Sequence, residues 1–332
     1  MSFPRATLRT HRIIRTVASL VIIASVFAAW RFVNFSAIFD FINAHGYDPS
    51  KELSALIARL RLTPTGDRIM RGTRAELQQA DDFNASCESH NDSTILLGCY
   101  ANNHIYIYNI DDRDLKGVRE ATLAHELLHA IWGRMTEEGR EAIRPSLRKV
   151  YDENEDLQAH LKLYDSTEFY DELHSIVGSQ IPSDQLPEDL RAHFAKYFTN
   201  QNLIANYYHQ YSDQLAVIEK RLKELENLIE KGRTEIEKRN REYTLANNRL
   251  SKDAEAHNAR DMESATREER EEYNREAEEL RKRQEELSRE YSALQNLLVE
   301  YNAYIVEYNQ FVIFTQKVYD SMNSRVEKPA TN

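Results

Sequence analysis

The chain has 332 residues, and its composition favours helix because it contains only 9 glycines and 7 prolines while 29% of its residues are charged. The length exceeds that of one typical domain, so we expect more than one structural part. The net charge of −11 excludes a nucleic-acid-binding surface of the usual basic kind, and no basic patch interleaved with aromatic residues occurs.

The first predicted element is an N-terminal membrane anchor. Five arginines flank an uncharged run at residues 16–30, TVASLVIIASVFAAW: Arg5, Arg9, Arg12 and Arg15 before it and Arg31 after it. The arginines before the run indicate that the N-terminus stays in the cytoplasm and that the chain after the run is exported. A cleaved signal peptide is the alternative, with a small-residue cleavage site at Val26 and Ala28. We therefore predict a basic flank and a single-pass anchor at residues 1–34.

Two short helices and a β-hairpin are predicted next. The helices cover residues 48–63, with Pro49 at the first position, and residues 73–83. Residues 94–100 and 104–110 are typical of two strands joined by a short Asn-containing turn. The second strand, HIYIYNI, alternates as a half-exposed strand does.

The two cysteines, Cys87 and Cys99, are expected to form a disulfide. Eleven residues lie between them, which is enough to join two strands or a strand and its incoming loop. An exported domain also meets an oxidising environment. Two buried free thiols are the alternative, and the absence of a CxxC pattern argues against a cysteine-based redox or zinc site.

The stretch ATLAHELLHAIW contains the pattern HExxH within an apolar run. His125 and His129 stand four residues apart, so on a helix they lie on one face and can both bind one metal ion. Glu126 lies about 100° round the helix from His125, where it can contact a metal-bound water without binding the metal. The alternative is a buried helix with two hydrogen-bonded core histidines. The helix is expected at residues 115–132, ended by Gly133.

A catalytic zinc needs a third protein ligand and an open position for water. The HExxHxxGxxH continuation is excluded because Trp132 and Met135 stand at the places of its glycine and third histidine. A later predicted helix, FYDELHSIVGSQ, carries Glu172 and His174 among apolar residues, where a polar side chain is costly to bury unless it is bound. This helix is expected to start at a cap on Asp165 and to end at Gly178.

We predict that Zn²⁺ is bound by two histidines and one glutamate: His125, His129 and Glu172. Glu126 is the expected general base, which takes a proton from the metal-activated water. His174 is a second catalytic candidate that polarises the substrate carbonyl or holds Glu172. The roles of Glu172 and His174 could be exchanged. A structural alternative also stays open, in which Glu172 caps a helix or pairs with an arginine and His174 only fills the helix interface. The strand HIYIYNI either pairs with an extended peptide substrate or is an ordinary core strand.

The remainder of the chain is predicted to be helical. Thr136 and Pro187 are typical helix starts. From Ile204 to Leu250 and again from Tyr273 to Val312, apolar residues follow a heptad pattern. The charged segment between these two seams predicts a reversal near residue 256 and an antiparallel hairpin roughly 60–70 Å long. A parallel coiled coil between chains is the alternative.

Several segments together resemble an uncharacterised family of membrane-anchored bacterial zincin-like proteins: FNASC, LGCY, IYIYNI, HELLHAIW, YDELHSIVG and the Tyr- and Asn-rich coiled coil. The resemblance covers about residues 39–198 and is specific at the two helices. It implies a gluzincin-type site formed by the residues already named: His125, His129, Glu172 and the general base Glu126. The chain departs from the family pattern where Ser179 and Gln180 replace Thr-Glu. If that acid were the ligand, Gln180 would remove it.

The predicted fold class is α+β and mainly helical. Its parts are the anchor, a zincin-like domain with a small sheet, an antiparallel coiled-coil hairpin and a disordered tail: residues 1–34, 35–202, 203–320 and 321–332. The favoured function is a zinc peptidase of the cell membrane that acts outside the cytoplasm on a peptide or protein of the cell envelope. The alternative is a non-catalytic envelope scaffold whose metal is structural and whose coiled coil binds a partner. Glu126 favours the peptidase, because a structural site needs no acid beside a metal-bound water.

Overall fold

A computed structural model describes residues 35–88, 95–110, 112, 115–162 and 168–325. It is mainly helical with one three-stranded sheet, which confirms the predicted class. The chain forms two compact units: one runs to His209 and resumes at Asn323, and the other is Gln210–Met322. The boundary between them therefore lies after residue 209, not after residue 202 as predicted. The predicted anchor and the last residues of the predicted tail lie outside the described residues. Within the described ranges, no helix combines the length and the apolar character needed to cross a membrane.

Three short helices open the first unit: α1 (Phe35–Ala44), α2 (Lys51–Arg59) and α3 (Pro64–Gly72). Oxygen-bearing side chains cap the last two. Ser50 accepts a hydrogen bond from the backbone of Leu53, and Thr63 accepts one from Gly66. Pro49 therefore lies before the cap rather than at the first helical position, and α2 is shorter than predicted.

The sheet consists of β1 (Glu76–Gln78), β2 (Gly98–Ala101) and β3 (His104–Tyr108), in the order β1-β3-β2. β3 is parallel to β1 and antiparallel to β2, so the predicted hairpin is present. Asn102 and Asn103 form its turn with φ values of 51° and 65°, a left-handed conformation that asparagine tolerates. The segment predicted as one helix at residues 73–83 instead contains β1 and the start of α4 (Ala80–Ser86).

β3 is the central strand, with a neighbour on each side. The prediction that HIYIYNI could pair with a substrate is therefore wrong, and the alternative of a core strand is confirmed. Tyr108 is also buried, with its ring 5.7 Å from that of Phe83, so the strand is less exposed than its alternation indicated. β2 lies at the edge of the sheet, since β3 is the one described strand that pairs with it.

The predicted disulfide is confirmed. Cys87 follows α4 and is bonded to Cys99 in β2, and both residues are buried. The bond therefore ties the edge strand to the preceding helix.

Removal of this disulfide should lower the free energy of unfolding by about 3 kcal/mol, because the unfolded chain regains the freedom of the closed loop. The test is the double variant Cys87→Ser and Cys99→Ser in a Trp30→Phe background, so that fluorescence reports on the buried Trp132 alone. Guanidinium unfolding should shift to lower denaturant. The oxidised Trp30→Phe protein is the control, and equal midpoints would contradict a stabilising role.

Five helices and a short 3₁₀ turn complete the first unit up to residue 200: α5 (Val118–Arg134), α6 (Glu137–Asp152), α7 (Glu155–Leu161), α8 (Phe169–Gln180), the turn Ser183–Gln185 and α9 (Glu188–Phe194). α5 is the centre of the core, where Leu123, Leu127 and Leu128 are fully buried. It packs against α8 and against β2 and β3. Thr136 caps α6, as predicted. Gly133 lies inside α5 rather than at its end.

α8 approaches its neighbours closely at Gly178. A Cβ added there would lie 2.8 Å from Leu128 Cδ1 of α5 and 2.5 Å from Phe194 Cε1 of α9. Gly178 was predicted to end this helix, but α8 continues to Gln180, so the glycine serves packing rather than termination. The predicted cap Asp165 lies outside the described residues.

The last two helices are α10 (Gln201–Asn258) and α11 (Arg267–Met322). In the second unit they pair antiparallel within the chain, through ion pairs such as Arg221–Glu307 and Asp253–Arg283. The predicted hairpin is therefore confirmed. At 58 and 56 residues, each helix is about 85 Å long at 1.5 Å per residue, which exceeds the predicted length. The chain reverses between Asn258 and Arg267, within the charged segment predicted for the reversal, and α11 extends past the predicted boundary at residue 320.

Candidate metal centre

The structure brings together the three side chains that were predicted as metal ligands. His125 and His129 lie one turn apart on α5, and Glu172 lies in the first turn of α8. The two Nε2 atoms are 3.1 Å apart. Glu172 Oε1 is 3.4 Å from His125 Nε2, and Glu172 Oε2 is 3.4 Å from His129 Nε2. Among the described residues, this is the one group of three such side chains whose ligand atoms all lie within 4.8 Å of one another.

The separation of the two Nε2 atoms, and the distance from each of them to its nearer Glu172 oxygen, are close to the spacing of ligand atoms around a tetrahedral metal. Ligand atoms at the corners of a tetrahedron, 2.0–2.1 Å from zinc, lie about 3.3 Å from each other. Two imidazoles and one carboxylate are also a donor set that catalytic zinc uses. The side chains of His125, His129 and Glu172 keep 20%, 17% and 11% of their surface exposed, so solvent or a substrate can reach the cluster.

Two further residues orient the histidines. Asp171 Oδ1 lies 2.8 Å from His129 Nδ1, so this nitrogen donates to the carboxylate and the lone pair of Nε2 faces the cluster. Ser179 donates to the carbonyl of Ser175 at 2.6 Å, and its Oγ lies 3.5 Å from His125 Nδ1. The two contacts orient the histidine rings so that Nε2 of His125 and Nε2 of His129 both face the cluster. Sequence reasoning missed the contacts of Asp171 and Ser179 with the histidines, although Asp171 is adjacent to Glu172, the predicted third ligand.

His129 and Glu172 shift each other's pKa values towards the charged forms. Burial alone would lower the pKa of His129, but its hydrogen bonds to Asp171 and Glu172 and the charge of Glu126 raise that pKa well above its ordinary value. Burial would raise the pKa of Glu172, but its hydrogen bonds to His125 and His129 lower it. The raised pKa of His129 and the lowered pKa of Glu172 both favour the charged form of this pair when no metal is bound. A zinc ion bound here would displace a proton from His129, because zinc binds neutral imidazole, and its affinity would therefore rise with pH.

Glu126 lies beside the cluster. Its side chain is buried, and its charge contributes to the raised pKa of His129. Gly98 of β2 packs directly against it, since a Cβ added at Gly98 would lie 3.1 Å from Glu126 Oε1 and 2.6 Å from Thr122 Cγ2. The edge strand therefore passes next to the carboxylate of Glu126.

His174 lies outside the cluster of His125, His129 and Glu172. It has no exposed surface, and its Nε2 lies 2.9 Å from Nε2 of His193 on α9. Its ring packs against Trp132 and Phe194, with centroids 5.2 and 5.3 Å away. Burial lowers the pKa of His174 well below its ordinary value and that of His193 to about 4, so the pair is neutral at pH 7. This location fits a packing contact between α8 and α9 rather than the predicted contact with a substrate.

No family model, no curated protein and no solved structure matches this chain. The resemblance to zincin-like proteins therefore stays a prediction.

We expect Asp171→Ala to weaken zinc binding by about 10- to 100-fold, because His129 loses the partner that fixes its ring and its tautomer. Competition with a chromophoric chelator measures the affinity. Asp152→Ala is the matched control, since this carboxylate is paired with Arg148 on the exposed side of α6. Equal affinities of the Asp171 variant and the control would contradict the orienting role.

Proposed function

We propose that this chain is a zinc-dependent peptidase, anchored in the cell membrane and acting outside the cytoplasm. The observation that carries the proposal is the cluster of His125, His129 and Glu172, in which the two Nε2 atoms are 3.1 Å apart and each lies 3.4 Å from one carboxylate oxygen of Glu172. The buried acid beside it, Glu126, supports a catalytic rather than a structural metal.

In this mechanism His125, His129 and Glu172 would hold the zinc ion, and Asp171 keeps His129 in position. When bound there, zinc would supply a Lewis acid able to lower the pKa of a water and to polarise the carbonyl of the scissile bond. Glu126 accepts the proton of the attacking water and then delivers it to the nitrogen of the leaving group. The low exposure of Glu126 keeps bulk water away from this proton.

The edge strand β2 is the proposed docking site of the substrate. An extended peptide can add to the free edge of a sheet through main-chain hydrogen bonds. β2 is paired on one side with β3, and its Gly98 lies against Glu126. A peptide bound along β2 would therefore pass the general base, which favours unfolded or extended segments of envelope proteins as substrates.

The proposed location rests on two features. The first is the arginine-flanked run at residues 16–30, which is the proposed membrane anchor. The disulfide between Cys87 and Cys99 supports export, because such bonds persist in oxidising compartments. The scaffold alternative keeps the same location, and the long helical hairpin of the second unit would then bind its partner.

Metal analysis and a peptidase assay on the full-length protein test the proposal. We expect close to one zinc ion per chain, hydrolysis of an unfolded protein substrate, loss of hydrolysis with a chelator and its recovery on addition of zinc. A protein that binds zinc but cleaves no peptide in a broad peptide library would favour the scaffold. A protein that binds no metal would overturn the peptidase.

A further inference from the structure

Helix α1 has its polar side turned inward and its apolar side turned outward. Asp40 is 2% exposed, whereas four apolar side chains are largely exposed: Ile38 47%, Phe39 62%, Phe41 73% and Ile42 58%. At 3.6 residues per turn, these four residues cover one continuous face of about 160°. The surface helix of a water-exposed protein normally has the opposite arrangement.

The buried polar side fixes this orientation. Both carboxylate oxygens of Asp40 accept hydrogen bonds from Arg134, the last residue of α5, at 2.6–3.1 Å. Arg134 also donates to Tyr100 and Asn103 of the β2-β3 hairpin. α1 cannot rotate its apolar face inward without leaving Arg134 buried and unpaired, which is strongly unfavourable.

The position of α1 in the chain indicates what covers this face. The uncharged run at residues 16–30 ends shortly before α1 begins at residue 35. The residues 31–34 span at most about 14 Å when fully extended. If the run crosses a bilayer, α1 lies within this distance of its surface. Residues 35–50 contain no lysine or arginine, so the attraction of this face to a membrane comes from apolar burial rather than from charge.

We propose that α1 lies in the interface of the lipid bilayer, with Ile38, Phe39, Phe41 and Ile42 among the acyl chains. The ion pair between Asp40 and Arg134 then links the membrane surface to the C-terminal end of the helix that carries HExxH. The metal cluster would thus be held at a fixed orientation to the membrane rather than on a flexible tether.

Depth-dependent fluorescence quenching in liposomes tests this placement. The full-length protein is reconstituted in phosphatidylcholine vesicles and labelled at Phe41→Cys or Ile42→Cys, while the native cysteines stay oxidised. Doxyl-labelled lipids should quench these labels several-fold more strongly than a label at Glu138→Cys, an exposed position on α6. Aqueous iodide should show the reverse order, and raising the salt from about 0.1 to 1 M should change neither result.

Three outcomes would overturn the proposal. Labels at Phe41 and Ile42 that iodide quenches as strongly as the label at Glu138 would leave the face in water. Labels shielded from both quenchers, together with crosslinks to residues 1–34 or to a second copy, would assign it a protein partner. Finally, Phe39→Glu with Phe41→Glu should reduce lipid quenching of a label at Ile42 and leave zinc content unchanged, and undiminished quenching would contradict the role of this face.

Discussion

Glu126→Gln should retain stoichiometric zinc and lose peptide hydrolysis by about 10²- to 10⁴-fold, the contribution that a general base typically makes. Glutamine has the size and shape of glutamate, so it fits the buried space beside Gly98. Its amide oxygen, however, does not take up a proton at neutral pH. The variant therefore separates metal binding from chemistry.

The measurement pairs zinc analysis with steady-state cleavage of a peptide. Glu120→Gln is the matched control, because Glu120 lies on the same helix but binds Arg59 away from the cluster. We expect the control to keep both zinc and activity. Full activity of Glu126→Gln would remove the acid from the mechanism, even if zinc remains bound.

Removal of a ligand should abolish zinc binding and the stability that depends on it. His129→Ala and Glu172→Ala each leave two ligand side chains, which should reduce zinc affinity by more than the roughly 100-fold that loss of an outer partner costs. Zinc should raise the melting temperature of the wild-type protein by mass action and have little effect on either variant.

His45→Ala is the control for histidine removal, since His45 is exposed and lies outside the cluster. His174→Ala distinguishes the two residues whose roles the sequence left open. We expect this variant to unfold more easily but to bind zinc. Zinc lost in His174→Ala and kept in Glu172→Ala would reverse the assignment of the third ligand.

The parts of the site that follow from local geometry could be predicted. The i, i+4 spacing of His125 and His129 is set by one helix, and the exclusion of a third histidine depends on two positions in the sequence. Glu172 could be selected because a carboxylate in an apolar helix needs a partner. None of these steps requires knowledge of the tertiary structure.

The parts of the site and the fold that depend on long-range packing could not be predicted from the sequence. Asp171, Glu172 and His174 lie on one helix, and only its rotation against α5 decides which of them face the histidines. β1 has three residues, too few for a recognisable alternation, so the order of the sheet and the central place of β3 remained hidden. The length of the helical hairpin was underestimated because charged residues continue both helices towards the reversal, and because α11 continues past Val312 to Met322.

The close contact of α8 with α5 and α9 at Gly178 adds a second sequence pattern that helps to find related proteins. HExxH alone is short enough to arise by chance, whereas a chain that also carries Asp-Glu, five further residues and then Gly-Ser specifies the proposed third ligand, both orienting side chains and the close helix contact. An alanine at the glycine position would place its Cβ 2.8 Å from Leu128 Cδ1 and 2.5 Å from Phe194 Cε1, so these side chains or α8 itself would have to shift. Chains with HExxH but a larger residue at this position are therefore expected to pack the corresponding helices differently.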